Sequence, residues 1–339
     1  MVCKREDLKE VAYSYVKEGE SYEQAIGNFL LDWIDEKDHI LTRTSGSTGT
    51  PKFIKLMKQS MVHSAIATGD YFGLKPGDSA LHCVPTIFIA GKMMLIRAFI
   101  LGLRLDIVEP RSHPYIDIYA KYTFCAMVPM QVKNSMSHLH QIKKLIIGGA
   151  PVSGYILKSL QDIKTKAYAT YGMTETITHI AIRPLNHDPK DFFEAMPNIN
   201  LSMDDRNCLV IEAPGITEGK IVTNDMVRLV SETSFEFLGR YDNVINSGGI
   251  KLNPEQIEDK LTNSIKSRFF IAAEEDESLG EKVILIIEGD DGSLPSSVFE
   301  SLNTYEKPRS IYTLERFLET PSGKINRKET LELLKEGVT

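Results

Sequence analysis

Nine consecutive residues constrain this chain more than any other stretch: Thr44-Ser45-Gly46-Ser47-Thr48-Gly49-Thr50-Pro51-Lys52. They hold five hydroxyls, two glycines, one proline and one lysine. Glycine lets a backbone come close to a ligand and turn its N–H groups toward it. Ser and Thr hydroxyls donate to anionic oxygens, and Lys52 adds a point cation. Such a nest of donors suits a polyphosphate. It is not a Walker A loop, which needs Gly-Lys followed by Ser or Thr, whereas Phe53 follows Pro51-Lys52. On composition alone the stretch also fits a Ser/Thr/Gly surface loop. The rest of the chain has to decide between them.

With 339 residues, 42% hydrophobic and 25% charged, the chain is long enough for two domains around sizeable cores. Lys and Arg number 39 against 46 Asp and Glu, a net charge of −7 that points to no nucleic-acid partner. Cys3, Cys83, Cys125 and Cys208 are far apart, form no Cys-x-x-Cys pair and read as free thiols in a reducing compartment. The N-terminus turns acidic at Glu6-Asp7, where a signal peptide would turn apolar. The most apolar run, Met93 to Leu105, contains Arg97 and Arg104 and is too short to span a bilayer. The expectation is a cytoplasmic enzyme with no membrane segment.

Residues 1–40 read as two helices, and His39 to Arg43 as a strand entering the Ser/Thr/Gly stretch. A helix follows from Lys58 to Tyr71 and stops before the turn at Gly73 to Asp78. Apolar strands then alternate with helices. The strands are Ser79–Val84, Leu105–Val108, Thr123–Val128, Lys144–Ile147 and Lys166–Thr170; the helices are Gly91–Leu101 and Gly154–Gln161. That alternation predicts an α/β domain with a mostly parallel sheet covered on both faces. Ligands on such sheets sit at the carboxyl ends of strands. Gly148-Gly149-Ala150-Pro151 and Tyr171-Gly172-Met173-Thr174-Glu175-Thr176 both lie at such ends.

From Cys208 to Leu238 short strands with turns between them predict an antiparallel sheet or small barrel, with Lys220–Thr223 and Val227–Val230 as separate strands. A domain boundary is placed after Tyr241, so that residues 1–241 form a large N-terminal domain and 242–339 a small α+β domain. The small domain has helices over Pro254–Ser264, Ser296–Thr304 and Arg327–Lys335.

The wording of these stretches, in order, resembles the adenylate-forming superfamily of acyl-CoA synthetases, luciferases and peptide-synthetase adenylation domains. Thr44 to Lys52 matches its phosphate loop at every specified position. Tyr171 to Thr176 is similar to its second signature, which implies an aromatic near adenine at Tyr171, Gly172 beside it, Thr174 on the α-phosphate and Glu175 holding Mg²⁺. Gly149, Ala150 and Pro151 would wall the adenine. Thr223-Asn224-Asp225 stands where the family has Thr-Gly-Asp, which implies that Asp225 binds the ribose hydroxyls, with Asn224 replacing the usual Gly. Gly239 to Glu258 resembles the linker and the start of the second domain: Arg240 on ribose or phosphate, Asp242 as hinge, and Ser247, Gly248 and Gly249 lining the CoA pantetheine tunnel. Thr320 to Arg327 resembles the C-terminal signature, which makes Lys324 the catalytic lysine.

The resemblance implies ATP, Mg²⁺ and CoA, a small-molecule carboxylate, and a two-step reaction through an acyl-adenylate. About 43 residues precede the phosphate loop where relatives carry a large additional subdomain, so the chain is truncated at its N-terminus relative to the family. A second copy, in a homodimer, could replace the wall that subdomain provides. Short chains of this design resemble the compact bacterial o-succinylbenzoate–CoA ligases. In the acyl-side signature, Val84 to Gly91, Phe88 stands where many relatives have His and could stack on an aromatic acyl group or serve as plain core. A second carboxylate on the acid would need a cation or hydroxyls; His82, Lys92 and Arg97 lie near the signature, each a surface residue by default, and none of the three is chosen. Other acids, a carrier-protein thiol as acceptor, and a nucleotide binder without turnover stay open.

Overall fold

The computed structural model describes residues 5–43, 53–289, 294–320 and 324–337. Thr44, Ser45, Gly46, Ser47, Thr48, Gly49 and Lys52, all assigned above to the phosphate loop, lie outside them. Contacts divide the chain into two compact units.

The first unit comprises Met1–Val152, Ser159–Asn200 and Ile211–Ile221. It opens with α1 (Arg5–Glu18) and α2 (Ser21–Ile34), the latter started by a capping exchange in which Glu23 Oε2 accepts the Glu20 N–H at 2.8 Å. Strands β1 (His39–Arg43) and β2 (Phe53–Met57) pair antiparallel and lead into α3 (Lys58–Phe72). Next come β3 (Ser79–His82), α4 (Ile89–Leu101), β4 (Arg104–Ile107), β5 (Tyr122–Met127), α5 (Pro129–Asn134) and β6 (Ile142–Ile147). Then follow α6 (Gly154–Leu160), whose first residues belong to the second unit, β7 (Lys166–Gly172), β8 (His179–Pro184) and β9 (Phe193–Ala195). Gly73 and Gly102 end α3 and α4 in the left-handed conformation that suits glycine there.

Across this unit the strand order is β9-β8-β7-β6-β5-β3-β4. Pairings from β4 through β3, β5 and β6 to β7 are parallel, and β8 and β9 add antiparallel neighbours. The expected mostly parallel sheet is present. A buried cluster of Ala12, Ile26, Phe29, Leu30, Ile40, Leu56, Met61, Ala65, Met93, Leu95 and Ile96 packs the N-terminal helices and the β1–β2 pair with α3 and α4.

The second unit comprises Ser153–Lys158, Leu201–Val210 and Val222–Thr339. Its strands begin with β10 (Asn200–Met203), β11 (Cys208–Glu212), β12 (Lys220–Ser231) and β13 (Ser234–Arg240), successive neighbours of which β12 and β13 are antiparallel. The two strands expected over 220–230 are one strand of 12 residues, bulged between Met226 and Val227. The Thr223 hydroxyl accepts the Asp225 N–H at 3.1 Å and donates to Leu209 O at 2.8 Å, which holds the polar Thr-Asn-Asp run extended.

Beyond β13 come β14 (Ile245–Ser247), β15 (Ile250–Leu252), α7 (Pro254–Leu261), β16 (Phe269–Asp276), β17 (Gly280–Glu288), β18 (Ser310–Leu314) and α8 (Arg327–Gly337). The small sheet runs β15-β14-β17-β16, with β18 parallel to β17. One core lies under α7 (Ile257, Leu261, Ile271, Leu285) and a second under α8 (Phe270, Ile286, Phe317, Leu334). The helix expected over Ser296–Thr304 is a single 3-10 turn, Ser296–Phe299. Asn303 Oδ1 accepts the N–H groups of Tyr305 and Glu306 at 3.0 and 3.1 Å, and this side-chain turn competes with helix.

Candidate active site

In the first unit β6 and β7 lie side by side, with Ile147 paired to Ala169. Gly149, Ala150 and Pro151 follow β6 as an exposed rim at its carboxyl end. Tyr171 and Gly172 close β7. The Tyr171 ring stands 5.9 Å from the Phe193 ring, which in turn carries the Arg183 guanidinium at 5.3 Å. Gly172 is required sterically: a Cβ there would sit 2.2 Å from Thr178 O and 2.7 Å from His179 Cα.

Thr174 and Glu175 ride on a 3-10 turn, Thr174–Thr176. The buried Thr176 hydroxyl is the centre of that turn. It accepts the Met173 N–H at 3.0 Å, and Met173 O at 3.0 Å and Thr178 O at 2.7 Å surround its proton. Ile177 then takes φ 65° and ψ −57°, and Thr178 N–H donates to Thr176 O at 2.7 Å. This is a γ-turn of the strained, positive-φ hand, rare for any residue and rarer for a β-branched one. Ile177 is 1% exposed, so packing holds the strain in place. The result is a fixed loop with Glu175 on its exposed side. Among the described residues no group of three His, Cys, Asp or Glu side chains could hold a metal. One carboxylate plus phosphate oxygens is a usual Mg²⁺ arrangement, so Glu175 fits an ion that arrives with a nucleotide.

The turn leads directly to polar groups whose burial the sequence reading did not foresee. Arg97, in the middle of α4, is 1% exposed, and His82 is 2% exposed; both were expected at the surface. Both lie in apolar stretches whose burial prevails over their polarity. Among the described residues, Arg97 Nη2 donates to Thr178 Oγ1 at 3.2 Å, Nη1 contacts Met94 Sδ at 3.8 Å, Nε finds no partner and no carboxylate pairs with it. Burial pulls its pKa down to about 10. His179 sits between the Thr68 and Thr178 hydroxyls at 3.3 Å each, and burial, then the Arg97 charge, hold it well below the usual histidine range. A signal was present in the sequence: an arginine inside Met93-Met94-Leu95-Ile96-Arg97-Ala98-Phe99 is costly unless something charged comes to meet it.

In the acyl-side segment, His82 Nε2 lies 2.9 Å from Thr86 Oγ1, and burial lowers the His82 pKa to about 4. Lys92 donates to Thr86 O at 3.1 Å and lies 5.3 Å from the Phe29 ring centre. Phe88 is half-buried at the N-cap of α4.

The second unit brings together Asp225, Arg240, Asp242 and Lys324. Asp225, 8% exposed on β12, pairs in register with Arg240 on β13. Arg240 Nη1 lies 3.4 Å from Asp225 Oδ1, and Nη2 donates to Asp242 Oδ2 at 3.1 Å. Asn224 donates to both Asp242 oxygens at 3.2 and 3.1 Å, and its own Oδ1 accepts from Arg206 at 2.9 Å. Loss of solvent lowers the Lys324 pKa, the Arg240 charge lowers it further, and Asp225 opposes both. Ser247, buried, precedes Gly248 and Gly249, which form the two-residue turn between β14 and β15 at φ 59° and 82°. Two successive positive φ values are the primed hairpin turn that glycine fills without strain.

A family model described as AMP-binding enzyme matches residues 11–215. The 2-succinylbenzoate–CoA ligase of Bacillus cytotoxicus is 24% identical over 334 residues, covering 86% of this chain and 69% of that protein. Among solved structures, an acyl-CoA synthetase (AMP-forming)/AMP-acid ligase II-like protein from Dyadobacter fermentans is 33% identical with a TM-score of 0.63. That match covers 96% of this chain and 98% of the other. The o-succinylbenzoate coenzyme A synthetase of Bacillus subtilis, in complex with ATP and magnesium ion, superposes with a TM-score of 0.73 at 18% identity. It covers 86% of this chain and 69% of that one.

Proposed function

The chain is an AMP-forming ligase of the AMP-binding enzyme family, and from that premise we propose that it joins o-succinylbenzoate to CoA, a step of menaquinone biosynthesis. The observation that carries the choice of acid is Arg97. A buried guanidinium without a carboxylate among the described residues suits an acid with a second anionic group. The curated relatives named for this substrate support the same reading.

In the adenylating half, a carboxylate oxygen attacks the α-phosphorus of ATP and the bond to pyrophosphate breaks. Thr44 to Lys52 and Thr174 hold the phosphates, Tyr171 and the Gly149–Pro151 rim hold adenine, and Asp225 and Arg240 hold ribose. Lys324 places its ammonium where negative charge develops between carboxylate and phosphate. Glu175 would hold Mg²⁺, which shields phosphate charge from the incoming anion. Residues 242–339 then rotate about Asp242. In the second half the CoA thiol, entering past Ser247, Gly248 and Gly249, attacks the acyl carbon. AMP leaves as the C–S bond forms. Phe88 stacks on the aryl group.

The test is acid-dependent ATP–pyrophosphate exchange with o-succinylbenzoate, benzoate and medium-chain fatty acids, followed by CoA addition. Exchange with o-succinylbenzoate and thioester formation on adding CoA is the expected result. Exchange with a different acid alone would remove the substrate assignment and leave the ligase mechanism standing.

A further inference from the structure

The loop that carries Lys324 is closed at its neck. Thr320 N–H donates to Lys324 O at 2.7 Å, Lys324 N–H reaches Thr320 Oγ1 at 3.2 Å, and Asn326 N–H donates to Leu318 O at 2.8 Å. Glu319 and Ile325 form an isolated antiparallel bridge. Each end of this neck is held by a charged residue from outside it. Upstream, Arg268 Nη1 donates to Glu319 Oε1 at 2.6 Å. Downstream, Arg327, the first residue of α8, donates to Glu258 Oε2 on α7 at 2.7 Å.

The downstream contact has an unusual placement. β16 is an end strand of the small sheet, so one row of its backbone groups has no strand partner in that sheet. Glu258 Oε1 accepts the Ile271 N–H of β16 at 2.8 Å, and Arg327 Nη1 reaches Ile271 O at 3.4 Å. The two side chains thus wrap the edge of β16. They join α7, which packs with Ile271 on one core, to α8, which packs with Phe270 on the other. The Arg327 guanidinium also lies 5.5 Å from the Phe270 ring centre. Each core also has its own apolar contacts. What the pair fixes is the first turn of α8, three residues after Lys324.

We propose that Glu258 and Arg327 are positioning residues for Lys324, clasping the start of α8 to the edge of β16 so that the lysine loop holds one geometry during adenylation. This rests on the role given to Lys324 above. The Glu258 carboxylate accepts from a backbone N–H and a guanidinium together, which fixes its orientation. Arg327 in turn makes three directed contacts, none of which the sequence's Gly-Lys-Ile-Asn-Arg spacing reveals.

The test uses Arg327→Ala, Arg327→Lys and Glu258→Gln in the full chain, read in two ways. Amide hydrogen exchange is followed at Thr320, Lys324 and Asn326 against Val283 to Ile287 of β17. Pyrophosphate exchange is compared with thioester formation from supplied acyl-adenylate and CoA. For Arg327→Ala the loop amides exchange faster while β17 does not, kcat for pyrophosphate exchange falls about 10- to 100-fold, and the thioester step stays within about twofold. Arg327→Lys recovers part of the loss. Unchanged loop amides would overturn the proposal, as would an equal fall in both half-reactions. If the unaltered protein exchanged pyrophosphate with no acid, the functional reading would fail, and the amide measurement would still decide whether the clasp holds the loop.

Discussion

At the scale of single residues, two cations carry different lessons. Lys324 is singled out by the signature around it, Thr320 to Arg327, and the charges of Arg240 and Asp225 act on it. Replacing it should uncouple binding from chemistry: Lys324→Ala is expected to lower pyrophosphate exchange about 10²- to 10³-fold while AMP binding, followed calorimetrically, largely survives. Adenylation near the unaltered rate would remove the role assigned to it. Arg97 was only half legible: it stood among the cations near the acyl-side signature, but its default reading was surface, and the packing of α4 shows it buried. Arg97→Met keeps the volume and removes the charge. Its expected signature is a melting temperature equal to or above that of the parent, with KM for o-succinylbenzoate raised about 10- to 100-fold. A marked loss of stability with unchanged KM would show instead that the guanidinium serves the fold.

At the scale of elements, helices with an apolar stripe and strands of continuous apolar residues announced most of the chain from α1 through β7, but not β2 (Phe53–Met57) or the short α5 (Pro129–Asn134). Failures fell where side chains redirect the backbone. Thr223 straightened a run that propensity reads as a turn, and Asn303 broke a run that reads as helix. The turn after β7 belongs to the same class: its length was visible, but the γ-turn at Ile177 and the central role of Thr176 were not. Thr176→Val leaves the Met173 N–H without its acceptor and should cost roughly 1–3 kcal/mol in urea unfolding. It should also raise the magnesium concentration needed for half-maximal exchange, since Glu175 loses its fixed platform. A variant with parental stability and magnesium dependence would show that the hydroxyl is dispensable.

At the scale of the whole molecule, buried titratable groups pull in opposite directions as the pH falls: burial lowers the pKa of His82 and raises that of Glu258 to about 7, so the histidine weakens the fold toward acid while the carboxyl opposes it. The His82 pKa falls from the ordinary 6.5 to about 4 in the folded chain, through burial. The unfolded chain therefore binds a proton that the folded one refuses. The stability this group contributes is fully present above pH 6.5 and is lost as the pH falls toward 4, by roughly 3 kcal/mol. His179 acts in the same direction. Between pH 7 and pH 5 the urea midpoint should fall further for the parent than for His82→Gln. Equal falls would mean that His82 is protonated in the folded state.

The guanidinium of α4, which meets no carboxylate among the described residues, would also make the protein a thermometer for the acid proposed above. An anion that meets Arg97 binds the native chain and not the unfolded one, so at 100 times its Kd it adds about 2.7 kcal/mol to unfolding. A monoacid of equal size, lacking the second anionic group, leaves that charge unmet and adds less. Melting curves run across an acid panel, without ATP or CoA, should therefore rank acids by their second charge before any turnover is measured.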